Sequence, residues 1–143
     1  LIVWSSAYHG GILPNAYAAV HQYWVVTSVW NRGISRIINP FGEEVAHSSM
    51  WECFAMAEID LGAEIFHFDH HAHIPARLRQ ELGDRVEIGI KDGDNVFLIS
   101  SKDPRWPLER IKAHYGLHTY QEYQDKSTQD NLDMLAKYPP EEQ

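Results

Sequence analysis

Leu1-Ile2-Val3-Trp4-Ser5-Ser6-Ala7-Tyr8, then Pro14 to Gly33 (PNAYAAVHQYWVVTSVWNRG) and Ser35 to Ala46 (SRIINPFGEEVA), form the stretch whose reading decides the fold. Leu1 to Trp4 is a short apolar run ended by two serines, the pattern of a fully buried strand. Gly10-Gly11 punctuate the loop that follows. Pro14-Asn15 opens a helix, since proline is tolerated in a first helical turn, and Tyr17, Val20 and His21 fall at helical spacing. Tyr23 to Trp30 is rich in β-branched and aromatic residues and predicts a second strand. Ser35–Asn39 and Glu44–Ala46 predict two short strands joined by the turn Pro40-Phe41-Gly42.

Further along, Cys53 to Leu61 alternates imperfectly and reads as a strand, and Glu64 to Asp69 as a short extended segment. Residues 74–83 predict a helix: Ile74, Leu78 and Leu82 recur every four residues, and Gly83 is its stop. Val86–Ile90 alternates strictly, Asp92-Gly93-Asp94 turns, and Asn95–Ser100 returns, which together predict a hairpin. A helix from Trp106 to Tyr115 is expected to stop at Gly116. Thr119 is placed to cap a last polar helix through about Tyr138, with few apolar anchors.

The order of motifs in the first third resembles the carbon–nitrogen hydrolase, or nitrilase, superfamily, in the part of its domain that follows the nucleophile. The residues carrying the resemblance are Trp4-Ser5-Ser6-Ala7 at a strand end and the strand YWVVTSVWN. They continue with Ser35, Ile37, Pro40, Gly42 and Ala46 in the hairpin, and with Ala55 to Leu61, a strand passing through Asp60. The match departs from the family in lacking a proline before Ser5, and in His21-Gln22, where an acidic residue and Asn are frequent.

The resemblance implies an α/β fold: a partial α-β-β-α sandwich over residues 1–61, with a C-terminal extension of helix, hairpin and helices over 62–143 that crosses to a partner subunit. It implies hydrolysis of a non-peptide carbon–nitrogen bond in an amide, nitrile or carbamoyl compound, with no cofactor, in a homodimer. In such enzymes a Cys attacks the carbon, a Glu moves the proton and a Lys stabilises the oxyanion. All three are expected upstream of Leu1, so the chain reads as a fragment whose catalytic residues lie outside it. Ser5, Ser6, Ala7 and Tyr8 are candidate substrate-binding residues, because small side chains at a strand end let a substrate approach the backbone, and the resemblance adds Asn31, which matches an Asn the family often has at the end of the next strand. His9 flanks that loop. Cys53, the single cysteine, reads as a small buried hydrophobe and not as the nucleophile.

The alternative is a non-catalytic metal-binding or assembly module centred on His67-Phe68-Asp69-His70-His71-Ala72-His73. Of these, His67, Asp69, His70 and His73 are candidate nitrogen and oxygen ligands for zinc or another divalent cation. The bland reading is a histidine-rich loop leading into the helix at 74–83. Gly10-Gly11 is no phosphate loop, and no Gly-x-Ser-x-Gly elbow supports Ser5 or Ser6 as a nucleophile.

The 143 residues suit one domain of ordinary globular composition, with 44% hydrophobic and 12% aromatic residues. A net charge of −8 argues against nucleic acid and anionic membranes as partners, since both select basic surfaces. One cysteine excludes an intrachain disulfide and fits a reducing compartment, so a cytoplasmic protein is expected. No apolar run is long enough to span a bilayer.

Overall fold

The computed structural model describes residues 1–30, 34–69 and 71–138. They form a mixed α/β protein with two sheets and four helices. The chain divides into two compact units, Leu1–Gly62 and Ala63–Gln143.

The first unit is a four-stranded sheet in the order β1-β2-β3-β4, made of β1 (Ile2–Ser6), β2 (Val25–Val29), β3 (Arg36–Ile38) and β4 (Glu44–His47). β1 and β2 run parallel, joined through helix α1 (Leu13–His21), while β2–β3 and β3–β4 are antiparallel. A parallel pair needs a crossover, and α1 supplies it, with Pro14 in its first turn as expected. The turn between β3 and β4 is held against α1. Asn15 Nδ2 donates to the Gly42 carbonyl at 2.9 Å, and Gly42 has φ +79°. A Cβ on Gly42 would stand 2.6 Å from the Asn15 carbonyl oxygen, so only glycine fits there.

α1 covers one face of this sheet, where Ala18, Val25 and Ile38 form a small core against Tyr23. The opposite face carries a row that crosses all four strands, Val3–Val26–Ile37–Ala46, each residue in register with the next. Its β1 end is open: Val3 is 67% exposed. This corrects the expectation of a fully buried first strand. β1 lies at the sheet edge with a helix over only one face, so its apolar residues lack a second layer. The expected strand over 53–61 is also absent: these residues form no ladder, and Phe54 and Met56 are exposed. Glu58 and Asp60 interrupt the alternation, and a segment without a paired edge cannot complete its backbone hydrogen bonds as a strand. It is tied back instead by Trp24 Nε1, which donates to the Asp60 carbonyl at 3.0 Å. Cys53 is exposed, not buried.

The second unit is an antiparallel sheet in the order β5-β7-β6, with β5 (Glu64–His67), β6 (Val86–Lys91) and β7 (Val96–Ser101). Helices α2 (Ile74–Leu82) and α3 (Leu108–Tyr115) pack over it, and α4 (Tyr120–Lys137) begins beside β5. Phe66, Ile74, Leu78, Leu82, Phe97 and Ile111 are at most 5% exposed and make the core. The four-residue spacing of Ile74, Leu78 and Leu82 thus places one face of α2 on the sheet, as its sequence predicts. α3 starts at Leu108 rather than Trp106, because Pro107 caps it in an extended conformation. No residue of α4 is buried. Among the described residues no helix is long and apolar enough to cross a membrane.

Candidate functional site

The parallel pairing of β1 and β2 brings their carboxyl ends side by side. Ser5 is in register with Ser28 and Ser6 with Val29, and Trp30 N donates to the Ser6 carbonyl at 3.1 Å. By strand alternation Ser5 and Ser28 share the face of Val3 and Val26, so two neighbouring hydroxyl residues stand at the end of the open apolar row. Ser28 escapes a reading of YWVVTSVW as a plain strand, since only the register with β1 sets it beside Ser5.

Ser6 points to the other face. Its Oγ accepts a hydrogen bond from Tyr8 N at 3.1 Å, which turns the chain after β1. Ala7 and Tyr8 are exposed, Tyr8 at 81%. His9 Nδ1 accepts from Gly11 N at 3.2 Å and so shapes the loop. Asn31 lies outside the described residues.

The loop is held by a residue the sequence did not single out. The Arg36 guanidinium donates to the carbonyls of His9 at 2.8 Å and Gly11 at 2.9 Å, and to Asn15 Oδ1 at 2.9 Å. Its side chain is only 13% exposed. Its own backbone N–H donates to Thr27 Oγ1 at 2.7 Å, so β2 and β3 fix the arginine that fixes the loop. Ser35 accepts from Val29 N at 3.0 Å, and Ser48 Oγ accepts from Ser35 N at 2.9 Å. These side chains satisfy backbone donors near the ends of β2 and β3, and the exposed Ser5 and Ser28 stand side by side at the strand ends. Such an arrangement can orient a polar group by hydrogen bonds. The one thiol of the chain, Cys53, is outside the sheet.

The second unit presents a separate cleft of about 600 Å³, lined by His67, Asp69, His71, His118, Glu122 and Tyr123 and continued along α4 to Asn131. His67 stacks on Tyr123 with ring centroids 4.3 Å apart and planes within 2°. His67 Nδ1 accepts from Asp69 N at 3.1 Å, and Tyr123 Oη donates to Asp69 Oδ2 at 2.7 Å. That bond to Asp69 is the first cause, and burial the second, of a raised Tyr123 phenol pKa. Glu122 closes the cap of α4, with its Oε2 accepting from Thr119 N at 2.7 Å. This bond holds its carboxyl below the usual range.

Of the residues considered as metal ligands, His67 and Asp69 therefore meet, but through the hydrogen bond from Asp69 N to His67 Nδ1, and Tyr123 engages both. His73 precedes α2 and does not line the cleft. His70 lies outside the described residues. Among the described residues no three His, Cys, Asp or Glu side chains converge as a ready metal centre.

Comparison with protein-family profiles, with curated proteins and with solved structures finds no match for this chain.

Proposed function

We propose that the chain is the C-terminal part of a hydrolase acting on non-peptide carbon–nitrogen bonds, in an amide, a nitrile or a carbamoyl compound. The observation that carries this reading is the first unit's sheet: a parallel β-α-β crossover extended by an antiparallel hairpin, covered by a helix on one face and apolar on the other. One helix layer and one sheet layer with an apolar outer row suit half of an α-β-β-α sandwich. The open β1 end of that row, at Val3, would meet the second sheet, and burying it would gain about 25 cal/mol per Å².

In this reading Ser5 and Ser28 orient the substrate at the carboxyl ends of β1 and β2, beside the loop that Arg36 holds in place. The nucleophilic Cys, the proton-moving Glu and the oxyanion-stabilising Lys come from sequence preceding Leu1. The thiolate attacks the carbonyl carbon of an amide or carbamoyl compound, the C–N bond breaks as the Glu passes a proton to the departing amine, and water hydrolyses the thioester. On a nitrile the thiolate adds across the C≡N bond, and water hydrolyses the thioimidate with loss of ammonia. Cys53 takes no part. A homo-oligomer and a small-molecule substrate belong to the same proposal.

The test is ammonia release from a panel of amides, nitriles and carbamoyl compounds by the polypeptide that includes the preceding coding sequence. Turnover that is abolished by iodoacetamide and kept in Cys53→Ser supports the reading. No turnover on any member, or turnover lost in Cys53→Ser, contradicts it.

A further inference from the structure

Between β1, α1 and the start of β2 the first unit holds a cavity of about 240 Å³. Ile2 and Trp4 line it from β1, Leu13 and Tyr17 from α1, and Tyr23 and Val25 from the segment entering β2. Ile2 is in register with Val25, and by strand alternation Ile2 and Trp4 lie on the sheet face opposite Ser5 and Ser28. The cavity is therefore separate from the strand-end serines, and its test does not depend on the hydrolase reading. No side chain lining it is charged.

The walls are set without a ligand. The six-membered ring of Trp4 lies so close to Gly10 that a Cβ there would overlap it. The Tyr23 ring stacks on His21 with centroids 5.5 Å apart and planes within 5°, and His21 stacks in turn on Tyr17 at 6.3 Å. Val25 belongs to the small core with Ala18 and Ile38. Ile2, Leu13 and Tyr17 are exposed, which leaves the cavity accessible from solvent.

Size and chemistry select the occupant. An apolar cavity of about 150 Å³ is enough to take up benzene, and the larger volume here admits a bicyclic ring such as indole. A charged guest would lose hydration and meet no opposite charge in return. A flat apolar guest would gain contact with Trp4, Tyr17 and Tyr23. We propose that this cavity binds a small, uncharged aromatic molecule with one ring or two fused rings. Such a ligand binds the folded chain and not the unfolded one, so it also raises the melting temperature.

The experiment is calorimetric titration of the 143-residue chain with indole and, separately, with uracil as a polar ring, beside Leu13→Ser, Tyr17→Ser and Val20→Ser. All three residues are exposed on α1, and Val20 does not line the cavity, so circular dichroism is expected to show an unchanged fold in each variant. The expected result is one indole per chain, weakened tenfold or more by either cavity substitution and unchanged by Val20→Ser, with no binding of uracil. A rise in melting temperature with indole accompanies it. A wild-type chain that takes up no indole overturns the proposal, as does indole binding unchanged in both cavity variants, equal loss in Val20→Ser, or uracil bound as tightly as indole. Sedimentation covers the other occupant: a dimer that Leu13→Ser and Tyr17→Ser dissociate would assign the cavity to a second copy of the chain and overturn the proposal as well.

Discussion

Tyr115 Oη donates a hydrogen bond to Glu81 Oε2 at 2.6 Å and so joins α3 to the last turn of α2. Arg77 completes the group, with its Nε 3.0 Å from Glu81 Oε1 and its guanidinium carbon 5.0 Å from the centre of the Tyr115 ring. Burial first, and the Glu81 carboxylate second, push the Tyr115 phenol up to about 12. The same hydrogen bond is the largest cause lowering the Glu81 carboxyl.

The sign of the Tyr115 effect follows from linkage. The folded phenol ionises later than the unfolded one, so its contribution is complete below the unfolded value of about 10 and is lost as pH rises from there through about 12. Ultraviolet titration of the chain is expected to show a tyrosine ionising at about pH 12, and Tyr115→Phe is expected to lose that component while keeping the smaller delay of Tyr123. Equal alkaline titration curves for the two proteins would contradict the packing of α3 on α2.

Thr119 and Glu122 form a reciprocal cap on α4: the Thr119 hydroxyl accepts from Glu122 N at 3.2 Å, and Glu122 Oε2 accepts from Thr119 N at 2.7 Å. Thr119→Ala is expected to cost about 1 kcal/mol in urea unfolding. The Glu122 pKa is depressed, so its share is present above the unfolded carboxylate pKa and disappears as pH falls through the lower folded value. A Thr119→Ala penalty below about 0.3 kcal/mol would count against the capping geometry.

Gly10 and Gly11 both have positive φ, +70° and +58°, yet they are not equivalent. A Cβ on Gly10 would overlap the six-membered ring of Trp4, whereas one on Gly11 meets nothing within 4 Å. Gly11→Ala is expected to cost about 1–2 kcal/mol for the left-handed backbone alone. Gly10→Ala should cost clearly more, because Trp4 must also move. Equal unfolding midpoints for the two variants would show that the loop held by Arg36 is not packed on Trp4.

Cys53 is exposed and outside every strand and helix. A thiol reagent is expected to titrate one thiol per chain without denaturant, leaving the circular dichroism spectrum unchanged. A thiol that reacts only after unfolding would restore the buried reading suggested by Trp51 and Phe54.

Local rules made much of the fold legible. The Pro14 start, the Pro40-Phe41-Gly42 turn, the Ile74-Leu78-Leu82 stripe, the strict alternation of 86–90 and the Thr119 cap each act within a few residues, and each places its element. The failures are of another kind. Leu1 to Trp4 is apolar enough to be buried, but burial depends on a second layer, which a sequence pattern does not supply. Residues 53–61 have strand-like composition but no edge to pair with. In the candidate site, Ser5 and Ser6 were visible as small residues at a strand end. Ser28 and Arg36 were not, because their places depend on the β1–β2 register and on contacts 25 or more residues away. His118 was likewise invisible beside the dense histidine run, since only the fold brings it to His71.

The most direct test of the hydrolase account is the coding sequence immediately upstream of the Leu1 codon. The account predicts an open frame that continues through a strand ending in a Cys, with a Lys and a Glu further upstream. A stop codon directly before Leu1, or a continuous frame lacking that Cys, would contradict it.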